Sequence, residues 1–593
     1  MEDILVLPTT MWGLLKQVAP TDLQGSDPAL DAAHRTLLDG EPLPALAAAA
    51  AVLQSNPQDH LALVLSADGF TACGKRLEAL ELLQRAVAFR PHSPAFQLLP
   101  GQLLLSLGRA EEAQLFFERG LTLLLTTEGS DALGGELQLC LRERLVQSLL
   151  AQNQLDKAWI QLEPLLDIHH ELSGTAAEIL MKLGRPEQAL PLARRHCDMA
   201  GTPAAAQLLA RCHFRLGDQA AYAGVLCTTS AHHPEDGNLS ALASQAIFDQ
   251  ANSQCTVHAG WQMLERGLAA VGQSAELSFL EARQLLLDGC YEKGWIAYQA
   301  RLQLSNHQLQ APCSYAWQGE SPAGRSIVVV AEQGVGDVLL FARFLPALTR
   351  EAGTVYLLAE PRLTTLLRLS YPDVVVLEQQ ELAHVLAGDR ALWIPLASLP
   401  MRYGTTVSAI ASGAHGDQLR LQPNLVQLWS ERLLIEPRQH LRIGVSLTAG
   451  SPSQEYQQRK RSVDAAMVLG PLDQIGAIVI DLQHRDRLHE STTKSLQLLR
   501  FEGVTRDLNH LCALISKLDL MISSDQTNVF LAGMLGVPTL AVVPPNPHFM
   551  FGREGSLTPW FNSLRIVRAP RWADWDGARE IYCSVLRGML SGT

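Results

Sequence analysis

"VVVAEQGVGDVLLFARFLPAL" occupies Val328–Leu348 of a 593-residue chain. Its first part, from Ile327 to Ala331, is a short β-branched run of the kind that forms a buried strand. Glycines at 334 and 336 then mark a turn, and from Val338 to Leu348 the apolar residues fall at helical spacing. Strand, glycine turn and helix together present backbone N–H groups and a helix N-terminus to an anion. Asp337 stands at the start of that helix, where an acid is an ordinary N-cap or first-turn residue. It is also one carboxylate within reach of whatever the turn binds, and the residues alone leave both readings open.

On either side of this stretch the pattern is consistent. From "YAWQGESPAGR" (Tyr315–Arg325) onward, short apolar runs alternate with helices. The first set of predicted strands covers 326–331, 354–359, 374–378 and 391–396. A second set covers 441–447, 477–483, 520–524, 539–545 and 564–569, after the helical stretch "QPNLVQLWSERLLI". Strands alternating with helices imply parallel sheets, and two sets imply two doubly wound lobes. Ligands of such sheets sit outside the carboxyl ends of the strands. "EQGVGD" and "SSDQTN" both fall at such ends, which predicts that they face one cleft from opposite lobes.

The N-terminal half reads differently. From Asp27 to about Leu304 it shows helix-length apolar patterns and almost no strand signal. Gly74, Gly108, Gly184 and Gly217 open successive helices, and Asn153 holds the same slot. Gly74 and Gly108 are 34 residues apart, as are Pro57 and Pro91. With a small residue five positions after the glycine, that period resembles the tetratricopeptide repeat, whose helix pairs stack into a superhelix with a concave groove. The groove implies peptide or protein recognition, the alternative being a scaffold or a self-association surface. The expected organisation is an N-terminal segment (1–26), a helical repeat domain (27–305), a linker (306–325) and two α/β lobes (326–425 and 426–593).

Composition limits the function. The chain is 47% hydrophobic and 18% charged, with a net charge of −13. That acidic balance argues against nucleic acid, which needs a basic face. No apolar run reaches the roughly 18 residues of a membrane-spanning helix. "MEDILVLPTTMWGLLKQ" lacks a basic n-region, so no secretory signal is read. The ten cysteines are scattered without C-x-x-C spacing, as in reduced cytosolic proteins. A cytoplasmic location is the expectation.

In order along the chain, "AWQGESPAGRSIVVVAEQGVGDVLLFARFLPAL", "LRIGVSLTAGS…RKRS", "VIDLQ", "LDLMISSDQTNVFLAGMLGVPTLAVVP" and "TPWFNSLRIVR" resemble bacterial tetratricopeptide-repeat glycosyltransferases. That family is akin to the heptosyltransferases and, more distantly, to O-linked N-acetylglucosamine transferases. The resemblance covers most of residues 290–575 and implies a GT-B fold of two lobes after a helical repeat solenoid. It implies an inverting transfer, without metal or cofactor, from a nucleotide-sugar to a Ser or Thr hydroxyl. The acceptor would be a protein held by the repeats, a bacterial surface or flagellar protein being one such case. Asp337 becomes the base that deprotonates the acceptor hydroxyl, with Glu332 as second choice. Arg343 becomes an anchor for its helix or for an anionic substrate.

The resemblance also assigns the donor side. Gly334 and Gly336 let the backbone turn tightly and a ligand approach closely. The loop carrying Arg459, Lys460, Arg461 and Ser462 faces the donor diphosphate, where positive charge stabilises the departing nucleotide. Relatives usually carry "NDRNRS" there, against "QQRKRS" here. Asp525, Gln526 and Thr527 start a helix suited to a diphosphate, with Asp525 free to bind sugar hydroxyls. Gln483 is a contact to base or sugar. Where many relatives read D-T-x-x-x-H-L-A-G-A, Gln526 replaces threonine and Phe530 replaces histidine; His548, on a nearby loop, is the candidate substitute. These departures set a second expectation beside the first: a non-catalytic adaptor built on a degenerate transferase. A lipopolysaccharide-type sugar transferase is a third.

Overall fold

The computed structural model describes residues 10–591, apart from 25, 127–131, 168, 251–252, 306–308, 383–390, 413–417, 436–440, 451–454, 485–487 and 489–495. The chain forms two compact units, Met1–Val225 and Leu226–Thr593.

The first unit is a run of antiparallel helix pairs. Examples are His60–Ala72 with Arg76–Phe89, Pro94–Ser106 with Ala110–Thr126, and Ser173–Lys182 with Pro186–Ala200. The repeated glycine slot has a backbone cause. Gly74, Gly108, Gly184 and Gly217 have φ of +76°, +75°, +72° and +80°, and Asn153 reaches +57°. Each closes the first helix of its pair in the left-handed region, which glycine and asparagine tolerate best. Lys75, Arg109, Gln154 and Arg185 then donate their N–H to carbonyls five residues back, on Phe70, Leu104, Leu149 and Leu180. The small residue five positions on, Ala79, Ala113, Ala158 or Ala189, is fully buried, which allows the paired helices to approach closely. Among the described residues, no helix is long and apolar enough to cross a membrane.

The second unit contains two parallel sheets. In the first, Tyr315–Ala316 (β1), Ser326–Val330 (β2), Thr354–Leu358 (β3), Val375–Leu377 (β4) and Leu392–Pro395 (β5) lie in the order β1-β5-β2-β3-β4. The second is formed by Arg442–Ser446 (β6), Ile478–Asp481 (β7), Gln497–Leu499 (β8), Leu520–Ser524 (β9), Thr539–Val543 (β10) and Leu564–Arg568 (β11), ordered β11-β10-β9-β6-β7-β8. Every pairing is parallel. All nine predicted strands are present, and β1 and β8 are additions. The strand order reverses between β2 and β5 and between β6 and β9. Those switch points are where doubly wound sheets open a crevice for ligands.

Helices from the repeat-like half belong to this second unit. Gly237–Asp249, Gln254–Val271, Ala275–Leu287 and Tyr291–Ala297 all follow Val225. Trp295 is fully buried and lies edge-on to Phe341 of the first lobe at 5.9 Å and to Phe549 of the second at 5.5 Å. Its indole N–H donates to the Gly404 carbonyl at 2.8 Å. Gly289, at φ +76°, repeats the signature of the first unit, and a Cβ on Gly294 would fall 2.6 Å from the Leu286 side chain. The compact division thus falls at Val225/Leu226, ahead of the expected linker, of which Tyr315 and Ala316 pair with Leu392 and Trp393 as an edge strand.

Candidate functional site

Asp337 is the third residue of the Val335–Ala342 helix, whose N-cap is Gly334. Its carboxylate is one-quarter exposed, and Oδ1 lies 3.4 Å from Nε2 of His548, contributed by the second lobe. Nδ1 of His548 accepts from the Met550 N–H at 3.3 Å. With Nδ1 as acceptor, the neutral ring carries its proton on Nε2, the nitrogen that faces Asp337. The His548 N–H donates to Oδ2 of Asp525 at 2.9 Å. The turn at Asp337 and the strand end at Asp525 are therefore linked through the His548 loop.

The glycine turn differs from expectation in its cause. Neither Gly334, at φ −86°, nor Gly336 uses the left-handed region; Gln333, between Glu332 and Gly334, does so at φ +68°. Gly336 is required by close approach instead. A Cβ there would lie 3.1 Å from two ring carbons of Phe530. Phe530, where relatives carry histidine, is buried against the turn, and its ring stands edge-on to His548 at 5.6 Å.

The second-choice base is already engaged. Glu332 is buried and receives both Nε and Nη2 of Arg301, itself buried. Nη2 of Arg301 also donates to Ser398, in the short helical turn that follows β5. Arg343 lies across the Trp560 ring at 5.2 Å and donates to the Trp560 carbonyl. Burial lowers its pKa to about 10. It joins the lobes rather than opening onto free space.

The predicted donor residues separate into two groups. Arg461 and Ser462 stay with the loop after β6: Nε of Arg461 donates to the Gln457 carbonyl, and Ser462 Oγ accepts from the Ala449 N–H. Arg459 is exposed and pairs with Glu455 at 3.3 Å. Thr527 begins the Thr527–Met534 helix, with Gln526 as its N-cap. The remaining residues build the walls. Gln483 accepts from the Leu447 and Thr448 N–H groups, and Gln526 donates to the Ser446 carbonyl, bridging β6 and β9 at the switch point. Asp525, 2% exposed, fixes the His548 backbone instead of standing free for sugar hydroxyls.

Lys460 departs furthest from its expected role. It is buried, and Nζ donates to Oδ1 of Asp249 at 2.6 Å. Burial pushes its pKa down while Asp249 pulls it up and Arg283 opposes the charge. An ammonium committed in this way does not serve as a point charge for a diphosphate. Asp249, Arg301, Tyr298 and Asn546 escaped the sequence reading. Tyr298 is buried and donates to Gln333 Oε1 at 3.1 Å, and the nearby Asp337 charge adds to burial in raising its pKa. Among the described residues, no group of three or more His, Cys, Asp or Glu is placed to hold a metal ion. A cavity of about 660 Å³ in this unit is lined by Trp261, Tyr291, Arg553 and Leu557 among others, and by none of the predicted site residues.

No protein-family model matches the chain. Protein FlbA of Caulobacter vibrioides is 25% identical over 343 residues, 53% of this chain and 55% of that protein. The chain thus spans about half the length of the curated relative it matches. Among solved structures, E. coli ADP-heptose lipopolysaccharide heptosyltransferase II is 15% identical, with a TM-score of 0.32, covering 45% of this chain and 99% of that one. A glycosyl transferase family 9 protein from Veillonella parvula is 12% identical, with a TM-score of 0.34, over 46% and 99%. A tetratricopeptide repeat protein from Parabacteroides merdae is 16% identical, with a TM-score of 0.30, over 42% and 94%.

Proposed function

We propose that the chain is an inverting glycosyltransferase that takes a sugar from a nucleotide-sugar and delivers it to a Ser or Thr hydroxyl of a protein selected by the helical repeats. The observation that carries this reading is the meeting of Asp337 and His548 at 3.4 Å, beyond the carboxyl ends of strands from both lobes. Asp337 accepts the hydroxyl proton as the hydroxyl oxygen attacks the anomeric carbon. The bond from that carbon to the phosphate oxygen breaks on the opposite face, so the configuration inverts. Arg461, Ser462 and the N-terminus of the Thr527–Met534 helix receive the negative charge of the departing nucleotide. His548, with its proton on Nε2, steadies the carboxylate against swinging away. No step calls for a metal.

Two observations favour a second reading, a non-catalytic adaptor: Lys460 is tied to Asp249, and Phe530 fills the space beside Gly336. A thermal-shift panel of nucleotide-sugars separates them, because a donor that binds the native state raises its stability. Stabilisation by one donor, with turnover abolished in Asp337→Asn, supports the enzyme. No shift with any donor supports the adaptor.

A further inference from the structure

The helical segment after Val225 sends one carboxylate into the second lobe. Asp249 is the last residue of the Gly237–Asp249 helix and is 1% exposed. An acid at a helix C-terminus opposes the helix dipole, and a buried carboxylate is costly unless paired. Four side chains satisfy it. Oδ1 accepts from Lys460 Nζ at 2.6 Å, Asn546 Nδ2 at 2.7 Å and Gln245 Nε2 at 2.6 Å. Oδ2 accepts from the Tyr456 hydroxyl at 2.6 Å.

Two of these donors sit on the Glu455–Arg461 helix, which carries Arg461 and leads directly into Ser462. A third, Asn546, lies two residues before His548 and is 1% exposed; its Oδ1 accepts from Gln284 Nε2 at 3.4 Å. One carboxylate thus touches both the basic element and the loop that brings His548 to Asp337.

We propose that Asp249 is a positioning residue for the cleft, fixing the Arg461–Ser462 element through Lys460 and Tyr456 and the His548 loop through Asn546. The helices that precede the first sheet are then part of the ligand site. This rests on the transferase reading for its consequence, but not for its geometry. Groups that bind or react need to be held to within about half an ångström, and a misplacement of about 1 Å can cost roughly 10²-fold in rate.

The test uses the full-length chain in three forms: wild type, Asp249→Asn and Tyr456→Phe. Amide hydrogen exchange is followed over 455–462 and 545–551, and affinities for UDP, GDP, ADP and CDP are measured in parallel. In Asp249→Asn both segments are expected to lose protection while the two sheets keep theirs, and the affinity for whichever nucleotide binds is expected to fall at least tenfold. Tyr456→Phe, which loses one hydrogen bond and keeps the ion pair, should loosen 455–462 alone; it also serves if Asp249→Asn does not fold. Unchanged exchange in both segments, or a uniform loss across the whole unit, overturns the proposal. If the wild type binds none of the four nucleotides while both segments loosen as expected, the positioning role stands and the transferase reading fails.

Discussion

Glu332 and Asp337 lie five residues apart on one turn, and their substitution by the neutral amide is expected to have opposite consequences. The Glu332 side chain is 2% exposed and that of its partner Arg301 is 1% exposed. Both Glu332 oxygens accept from Arg301 Nε at 3.2 Å. In Glu332→Gln the guanidinium stays charged, because arginine does not deprotonate in proteins. It keeps one carbonyl acceptor on the glutamine, the Tyr298 carbonyl, Ser398 Oγ and the Tyr298 ring, none of which carries a counter-charge. Removing one member of a buried pair costs about 3–5 kcal/mol. For a unit of this size that amounts to a fall in Tm of roughly 5–10 °C. Asp337, one-quarter exposed and 3.4 Å from His548, makes an interaction worth about 1 kcal/mol or less. Asparagine is also an acceptable residue in a first helical turn. Asp337→Asn is therefore expected to keep its Tm within about 2 °C while losing general-base assistance, about 10²–10⁴ in rate. Calorimetry on both variants, beside a turnover assay with the donor found by thermal shift, gives the comparison. A Glu332→Gln protein with unchanged Tm and no turnover, beside an active Asp337→Asn, would refute the assignment and make Glu332 the base.

Three further outcomes follow from the packing. Gly336→Ala places a Cβ 3.1 Å from the Phe530 ring; overpacking of about 1–3 kcal/mol outweighs the helix gain of about 1 kcal/mol, so urea titration should show a net loss that Phe530→Leu relieves. A fragment starting at residue 226 is expected to express as a soluble folded protein, whereas one starting at 306 lacks Trp295, Tyr298 and Arg301 and is expected to aggregate on gel filtration. In the first unit, burial raises the Asp68 carboxyl from 3.8 to about 7, against N–H donation from Met11 and Trp12. The folded chain then holds a proton that the unfolded chain has released, so this contribution is full below about pH 4 and is lost as pH rises through about 7. Denaturation at pH 5 and pH 8 should show wild type losing about 3 kcal/mol relative to Asp68→Asn, since part of the contribution is already gone at pH 5.

The fold was largely legible because its signals are local. Each predicted strand is a short apolar run bounded by turn residues, and Gly74, Gly108, Gly184, Gly217 and Asn153 revealed their positive φ through a spacing that needs no tertiary information. β1 and β8 were missed because two or three residues are too few to show alternation. The compact division at Val225/Leu226 is not legible in the sequence, because "YEKGWIAYQARLQ" has the pattern of one more repeat; that Trp295 inserts among Phe341, Phe549 and Trp560 is a property of surfaces far away in sequence. The site divides the same way. Asp337 is legible as a candidate from its turn, and His548 as a candidate from the resemblance, which places histidine where Phe530 stands; the structure brings the two to 3.4 Å. Lys460 was read as a loop charge because its partner lies 211 residues earlier, beyond the reach of any local pattern.

Several features that cost this fold stability lie around the cleft, though not all do: Asp68 is buried in the first unit. Gln333 takes a left-handed φ that glycine, one residue on, would adopt without strain. Arg343 leaves Nη2 buried without a partner among the described residues. Asp249 sits buried at the wrong end of its helix, and Lys460 is buried to meet it. Local rules are expected to fail at functional sites and to hold elsewhere. A lobe pair serving only as a platform gains nothing from these arrangements, since a buried ion pair replaced by well-packed apolar residues is often neutral or stabilising. Phe530 fits the same account. Its ring seals the floor beside Gly336, and the imidazole arrives from the next loop, held by Asp525 and turned toward Asp337. On the proposed transferase reading, the Phe530 substitution and His548 are two halves of one arrangement. A Phe530→His variant should then leave turnover standing, while His548→Ala should abolish it. The reverse result would take His548 out of the site and leave Phe530 as a residue the site needs; only a wild type with no turnover and no donor binding returns the chain to the adaptor reading.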